Sequence, residues 1–294
     1  MMLRSVAGRA ITLLMAGLLW VGTAGADGKD VLWAVSGKHN RVYLLGSIHL
    51  RSSTDRALPK AAEAAYQDAE NIIEELDLFA TPGELASPAV QALQALPSGQ
   101  TLADVLEPAL LERLHQALAA VNLDAGMVAR VQPWYAALIV LQTRLAAAGF
   151  DSADGVDYQI AMRAQHDHKP LRGLETALDQ LRIFAGMSMD EQRKFLSTTL
   201  DETDIAQQLT RLTDVWRSGD LAALERELRS GADESPAFFK ALTTDRNLLW
   251  LPQIEAMLAD GKDDYLVVTG ALHMVGSDGL VELLRRKGYK VVRK

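Results

Sequence analysis

The sequence predicts an α/β fold whose central sheet is built from strands near both chain ends, with helical insertions forming a cap. Three observations point there. An apolar hairpin pattern opens the folded part and leads into a strand, helix, strand succession; the C-terminus returns to strand, helix, strand; and the long stretches between carry helical periodicity.

Val31–Ser36, the turn Gly37–Asn40 and Arg41–Leu45 read as a β-hairpin, with His49 just beyond its second strand. Pro59 opens an Ala-rich helix running to about Ala69, and Ile72–Leu76 reads as a short strand ending at Asp77. From Thr81 to Phe150 the pattern is helical. Pro108 starts a helix with Leu110, Leu111, Leu114 and Leu118 on one face, and Pro133 starts another through Trp134, Leu138 and Leu141. Gly155-Val156-Asp157 begins a further helix, and Lys169–Leu174 is a short strand that delivers Glu175 at its end. A helical block follows from Thr176 to about Asp260, with a Ser188/Glu191 capping box and Asp220 as an N-cap. Strand Tyr265–Thr269, a helix from about Gly276 to Lys287, Gly288 as its C-cap and strand Tyr289–Val292 complete the chain. No low-complexity linker divides it, so 27–294 reads as one domain with insertions at about 81–150 and 176–260.

Composition narrows the function classes. With 294 residues, 49% hydrophobic and 23% charged, the chain can bury a sizeable core, which excludes intrinsic disorder and fibrous repeats. A formal charge of −8 without a Lys/Arg cluster argues against a nucleic-acid partner. Cys 0 removes thiolate nucleophiles, disulfides, Cys-held zinc and iron–sulfur clusters, so any metal falls to six His and the carboxylates. Met1–Ala26 reads as a secretory signal: Arg4 and Arg9, an apolar run Ala10–Val21, then Ala24-Gly25-Ala26 as a cleavage site. That run is shorter than the roughly 20 residues of a membrane span, so the expectation is a periplasmic or secreted protein with no stable span after cleavage.

Two segments share one local form, an apolar strand followed by G-x-x-H: Val42–His49 with Gly46 and His49, and Leu266–His273 with Gly270 and His273. In an open α/β sheet, ligands bind beyond the carboxyl ends of the strands, so two distant His could meet over one site there. Asp77 and Glu175 also follow apolar strands, with Glu75 near the end of the first. Two imidazoles and carboxylates without thiolate suit Mn, Fe, Co or Zn with open positions for water. Strand alternation puts Glu75 and Asp77 on one face and Glu74 on the other, facing solvent or salt-bridged. His39 in the hairpin turn, His115 on an amphipathic helix, and His166 and His168 at a helix end read as structural or surface residues.

The ordered set Leu44–Leu50, Glu75-Leu76-Asp77, Gly155-Val156-Asp157, Gly173–Thr176 with Gln180, Arg246-Asn247 with Trp250, and Gly270–Met274 with Gly276 resembles the TraB/GumN family. That family is related to Tiki-type metalloproteases and more distantly to the ChaN and erythromycin-esterase proteins; it usually has Thr where Ser47 stands. The resemblance implies metal-dependent hydrolysis of a peptide or protein substrate. It makes His49 and His273 metal ligands, with Glu75 as ligand or general base. It puts Glu175 at a catalytic acidic position and Arg246 where it could stabilise an oxyanion or bind a substrate carboxylate, unless that arginine is a surface salt bridge. Ser47, Asp77, Asp157 and Asn247 become supporting or substrate-binding residues. The alternative it leaves is a haem- or metal-binding envelope protein without hydrolytic activity.

Overall fold

The computed structural model describes residues 30–52 and 58–294; the signal expected over Met1–Ala26 lies outside them. The strands are β1 (Leu32–Ser36), β2 (Arg41–Ser47), β3 (Arg51–Ser52), β4 (Asn71–Glu74), β5 (Phe150–Asp151), β6 (Leu171–Gly173), β7 (Tyr265–Gly270) and β8 (Val291–Arg293). Six of them form one mixed sheet in the order β6-β4-β7-β2-β1-β8, and β3 pairs with β5 apart from it. β6, β4, β7 and β2 run parallel, while β1 is antiparallel to β2 and to β8. This is the sheet from both chain ends that the sequence predicts.

The parallel strands are apolar because both faces are covered. Val42, Leu44, Leu45, Ile72, Ile73, Leu266, Val267 and Val268 are all buried. They share a hydrophobic cluster with Trp216 and Leu224, and with Trp250, Ile254 and Leu258 of helix Thr244–Asp260. The hairpin turn is tied to the end of that helix by Asn40, whose Nδ2 donates to the carbonyls of Met257 (2.9 Å) and Asp263 (2.8 Å).

A second hydrophobic cluster is built from the helices and the turns between them, with no residue from the six-stranded sheet. Leu114 and Leu118 of helix Pro108–Ala120 and Trp134 and Val140 of helix Pro133–Ala147 pack with Phe184, Phe195, Leu196 and Phe238. The insertion expected over 176–260 is thus divided. Helices Ala177–Ala185, Met189–Asp201 and Pro236–Leu242 join this cap cluster, whereas Ile205–Ser218, Leu221–Arg229 and Thr244–Asp260 cover the sheet. The Ser188/Glu191 capping box and the Asp220 N-cap are both formed. No helix among the described residues is long and apolar enough to cross a membrane.

Candidate active site

Register brings the chemistry together. Parallel pairing sets Ser47 against Gly270, Val268 against Glu74, and Glu74 against Gly173, so the carboxyl ends of four adjacent strands lie side by side. Beyond β6, β4, β7 and β2 follow, in that order, Glu175, Glu75, His273 and His49.

Each imidazole is fixed through Nδ1. His49 Nδ1 donates to Asp157 Oδ2 (2.9 Å), and the other oxygen of Asp157 accepts from Ser47 Oγ (2.6 Å). Asp157 sits in the first turn of helix Val156–His166, where a carboxylate complements the helix dipole. That helix can abut β2 because Gly155 has no side chain: a Cβ there would lie 2.2 Å from the His49 carbonyl oxygen. On the other side, Asn247 Nδ2 donates to the Asp278 carbonyl (2.9 Å), which turns Asn247 Oδ1 toward His273 Nδ1 (2.8 Å). Arg246 Nη1 lies 3.0 Å from His273 Nε2, and since a guanidinium only donates, Nε2 carries the lone pair and Nδ1 the proton. His273 is buried and tilted against the Trp250 ring at 4.5 Å between centroids, and burial pushes its pKa down to about 3. His49 is half exposed, and the Asp157 carboxylate raises it to about 9.

Both Nε2 atoms stand 3.7 Å from the same oxygen, Glu75 Oε1. That oxygen also accepts the Gly270 backbone N–H at 2.7 Å, while Oε2 takes Arg246 Nη2 and Gln180 Nε2 (3.3 Å). Burial works to raise the Glu75 carboxyl, but the adjacent Arg246 guanidinium and these donors hold it well below the usual carboxylate range. Arg246 is itself buried. It forks onto Glu175 through Nη2 (2.6 Å) and Nε (3.0 Å) and lies over the Trp250 ring at 4.5 Å. Glu175 also accepts Trp250 Nε1 at 3.2 Å, and burial raises its pKa.

Of the residues singled out in the sequence, His49, His273, Glu75, Glu175, Arg246, Ser47, Asp157 and Asn247 form one connected network. Arg246 is no surface salt bridge. Asp77 stands apart, because β4 ends at Glu74 and strand alternation stops there; its Oδ1 accepts the N–H groups of Phe79 (2.9 Å) and Ala80 (3.2 Å) in the following turn. Glu74, expected at a solvent-facing or salt-bridged position, is 1% exposed with neither carboxyl oxygen hydrogen-bonded. Successive residues of β4 point to opposite faces, and Ile72, Ile73 and Glu74 are all buried, so both faces of this strand meet protein rather than water. Burial, together with the charges of Asp157, Asp77 and Glu75, pushes Glu74 up to about 10. Gln180 and Trp250 join the site as well. Both belong to the ordered motif set of the sequence, which gave them no role; the i,i+4 spacing of Trp250 to Arg246 is what stacks the indole on the guanidinium.

Among the described residues no three His, Asp or Glu side chains already stand at ligating spacing, and Arg246 occupies the His273 lone pair in this conformation. The donor set nevertheless fits a divalent cation in kind: two neutral-capable imidazole Nε2 atoms, each oriented by an acceptor on Nδ1, with a carboxylate oxygen between them. The space between these donors depends on Gly270, where a Cβ would fall 2.9 Å from His49 Nε2 and 3.3 Å from Glu75 Oε1. The backbone there, φ −50 and ψ 139, is open to any residue. Gly270→Ala is therefore expected to fold with a stability within about 1 kcal/mol of wild type and to weaken metal binding at least tenfold; equal metal affinity in a calorimetric titration would show the space to be unused.

The TraB/PrgY/gumN family profile matches residues 31–293. The uncharacterized protein YbaP of Escherichia coli K12 is 25% identical over 244 residues, covering 83% of this chain and 87% of the relative, and the Shigella flexneri protein of that name matches equally. Metalloprotease TIKI2 of Xenopus tropicalis is 24% identical over 316 residues, covering 90% of this chain and 60% of its own length. No solved structure matches. The matched span takes in all four strand ends, both G-x-x-H segments and the helix bearing Arg246, and on that extent the chain belongs to the TraB/PrgY/gumN family.

Proposed function

We propose that this chain is a metal-dependent hydrolase that cleaves peptide bonds, with His49, His273 and Glu75 holding one divalent ion of Mn, Co, Zn or Fe. The observation that carries this reading is the convergence of both Nε2 atoms on Glu75 Oε1 at 3.7 Å, with both Nδ1 atoms engaged elsewhere. The similarity to a metalloprotease supports it. When bound, such an ion supplies a water of lowered pKa and polarises a carbonyl.

The chain's own residues do the rest. Ser47 and Asp157 hold His49 in one ring orientation, and Asn247 fixes the His273 tautomer with its lone pair on Nε2. Of the two carboxylates on Arg246, Glu175 is the better proton acceptor, because burial raises it while Glu75 is held down. Arg246 places a positive charge beside the site, where a developing oxyanion would be stabilised. Nothing observed favours the haem alternative: the cleft over His49 has a volume of about 220 Å³, below the roughly 300–1,000 Å³ of sites for drug-sized ligands. The signal-like Met1–Ala26 makes the periplasm or the exterior the proposed compartment.

Metal analysis of protein purified without chelator, beside His49→Ala and His273→Ala, tests the assignment. The expected result is stoichiometric metal in the wild type, lost in both variants along with cleavage of a peptide library, while far-UV circular dichroism stays unchanged. Hydrolysis surviving in either variant would overturn it.

A further inference from the structure

The cleft that exposes His49 is lined by His49, Glu74, Glu75, Asp157 and Gln180, with Leu76 and Leu78 as apolar walls. Its unexplained member is Glu74, 1% exposed, both carboxyl oxygens without a hydrogen-bond partner. A buried carboxyl left unpaired costs free energy, and buried polar groups in folded proteins find partners.

The hydrogen bonds of the surrounding side chains go to other partners. All five N–H groups of Arg246 are engaged: Nε on Glu175, Nη1 on the Leu242 carbonyl and His273, Nη2 on Glu75 and Glu175. His49 Nδ1 is on Asp157 and its Nε2 faces Glu75; Gln180 Nε2 is on Glu75. Every charged group on the cleft wall other than His49 is acidic. No described side chain donates to Glu74, and the cleft it lines gives an entering cation access to it.

We propose that this cleft is a substrate subsite in which Glu74 receives a positively charged nitrogen, carried by a Lys or Arg side chain or by a free peptide N-terminus. At about 220 Å³ it has room for one side chain or one terminal residue, and Leu76 and Leu78 offer apolar surface to the methylene stem. The proposal rests on the hydrolase reading only for placing a peptide there; the recognition itself is a binding property.

The test is therefore binding rather than turnover. Four tripeptides are titrated calorimetrically into wild type and Glu74→Gln: acetyl-Ala-Lys-Ala-amide, acetyl-Ala-Arg-Ala-amide, acetyl-Ala-Gln-Ala-amide, and Ala-Gln-Ala-amide with a free amino terminus. Wild type should bind at least one cationic peptide tenfold or more tighter than the acetylated neutral one. The Lys and Arg peptides against the free-terminus peptide tell which source the cleft takes. In Glu74→Gln the preference should fall to less than threefold, with metal uptake retained. Equal binding of neutral and cationic peptides, binding of none, or a preference that survives Glu74→Gln overturns the proposal. Should Glu74→Gln not fold, the wild-type comparison decides alone. Cleavage of neutral peptides without cation preference would sink the subsite and leave the hydrolase; a Glu74-dependent preference without cleavage would do the reverse.

Discussion

Arg246→Ala is expected to lose about 3–5 kcal/mol of folding stability, more than any surface substitution of the same kind. The guanidinium is buried, joins Glu75 and Glu175 and rests on Trp250. Removing it leaves two buried carboxylates without their counter-ion and opens a void against the indole. Arg246→Lys should recover only part of the loss, because an ammonium cannot fork onto both carboxylates and accept the stacking geometry. Adding Glu175→Gln to Arg246→Ala should restore part of it by removing one orphaned charge. Urea unfolding of metal-free protein reads each value, and a loss below about 1 kcal/mol would mean that water reaches the carboxylates freely. The pH dependence has a defined sign. The folded-state pKa of Glu75 is depressed, so its contribution is present above the ordinary Glu value and is lost as pH falls. The gap between wild type and Arg246→Ala should accordingly be widest near neutrality and narrow in acid.

How much of this could be read from the chain depends on what each inference needed. Sheet and helix periods are local, so the hairpin, the strand-terminal His residues and the Pro-opened helices follow from spacing alone. That His49 and His273 share a site required only the rule that parallel strands present their carboxyl ends together, and β2 and β7 are adjacent and parallel. Asp77 was less legible because its face assignment assumed two more residues of strand than β4 has. Arg246 could not be told from a surface salt bridge by its neighbours in sequence, since its partners Glu75 and Glu175 lie 171 and 71 residues away. The helical insertion after Glu175 looked like one cap; which of its helices cover the sheet depends on packing between faces of similar apolarity, which spacing does not order.

Glu74 was misread for a different reason, and it carries the second large effect. Alternation along a strand says which side a residue takes, not whether water is on that side, and β4 is covered on both. With its folded-state pKa pushed to about 10, Glu74 stays protonated in the metal-free folded protein near neutrality, while the unfolded chain releases that proton at the ordinary Glu value. The unfolded state therefore binds fewer protons across this interval, and stability falls as pH rises through it, at about 1.4 kcal/mol per pH unit. By pH 7 the accumulated cost is about 3 kcal/mol, an upper bound wherever water relaxes into the cleft. Glutamine has the same shape and cannot ionise, so Glu74→Gln should match wild type near pH 4, exceed it by up to about 3 kcal/mol at pH 7 and by more at pH 9. Urea midpoints of chelator-treated protein across that range supply the check, and a difference that does not grow with pH would mean the carboxyl ionises at ordinary cost. A gain of this size from one isosteric change marks a position held against stability, as functional sites commonly are, and the carboxyl kept there lines a cleft through which a cation can enter and take the place of its proton.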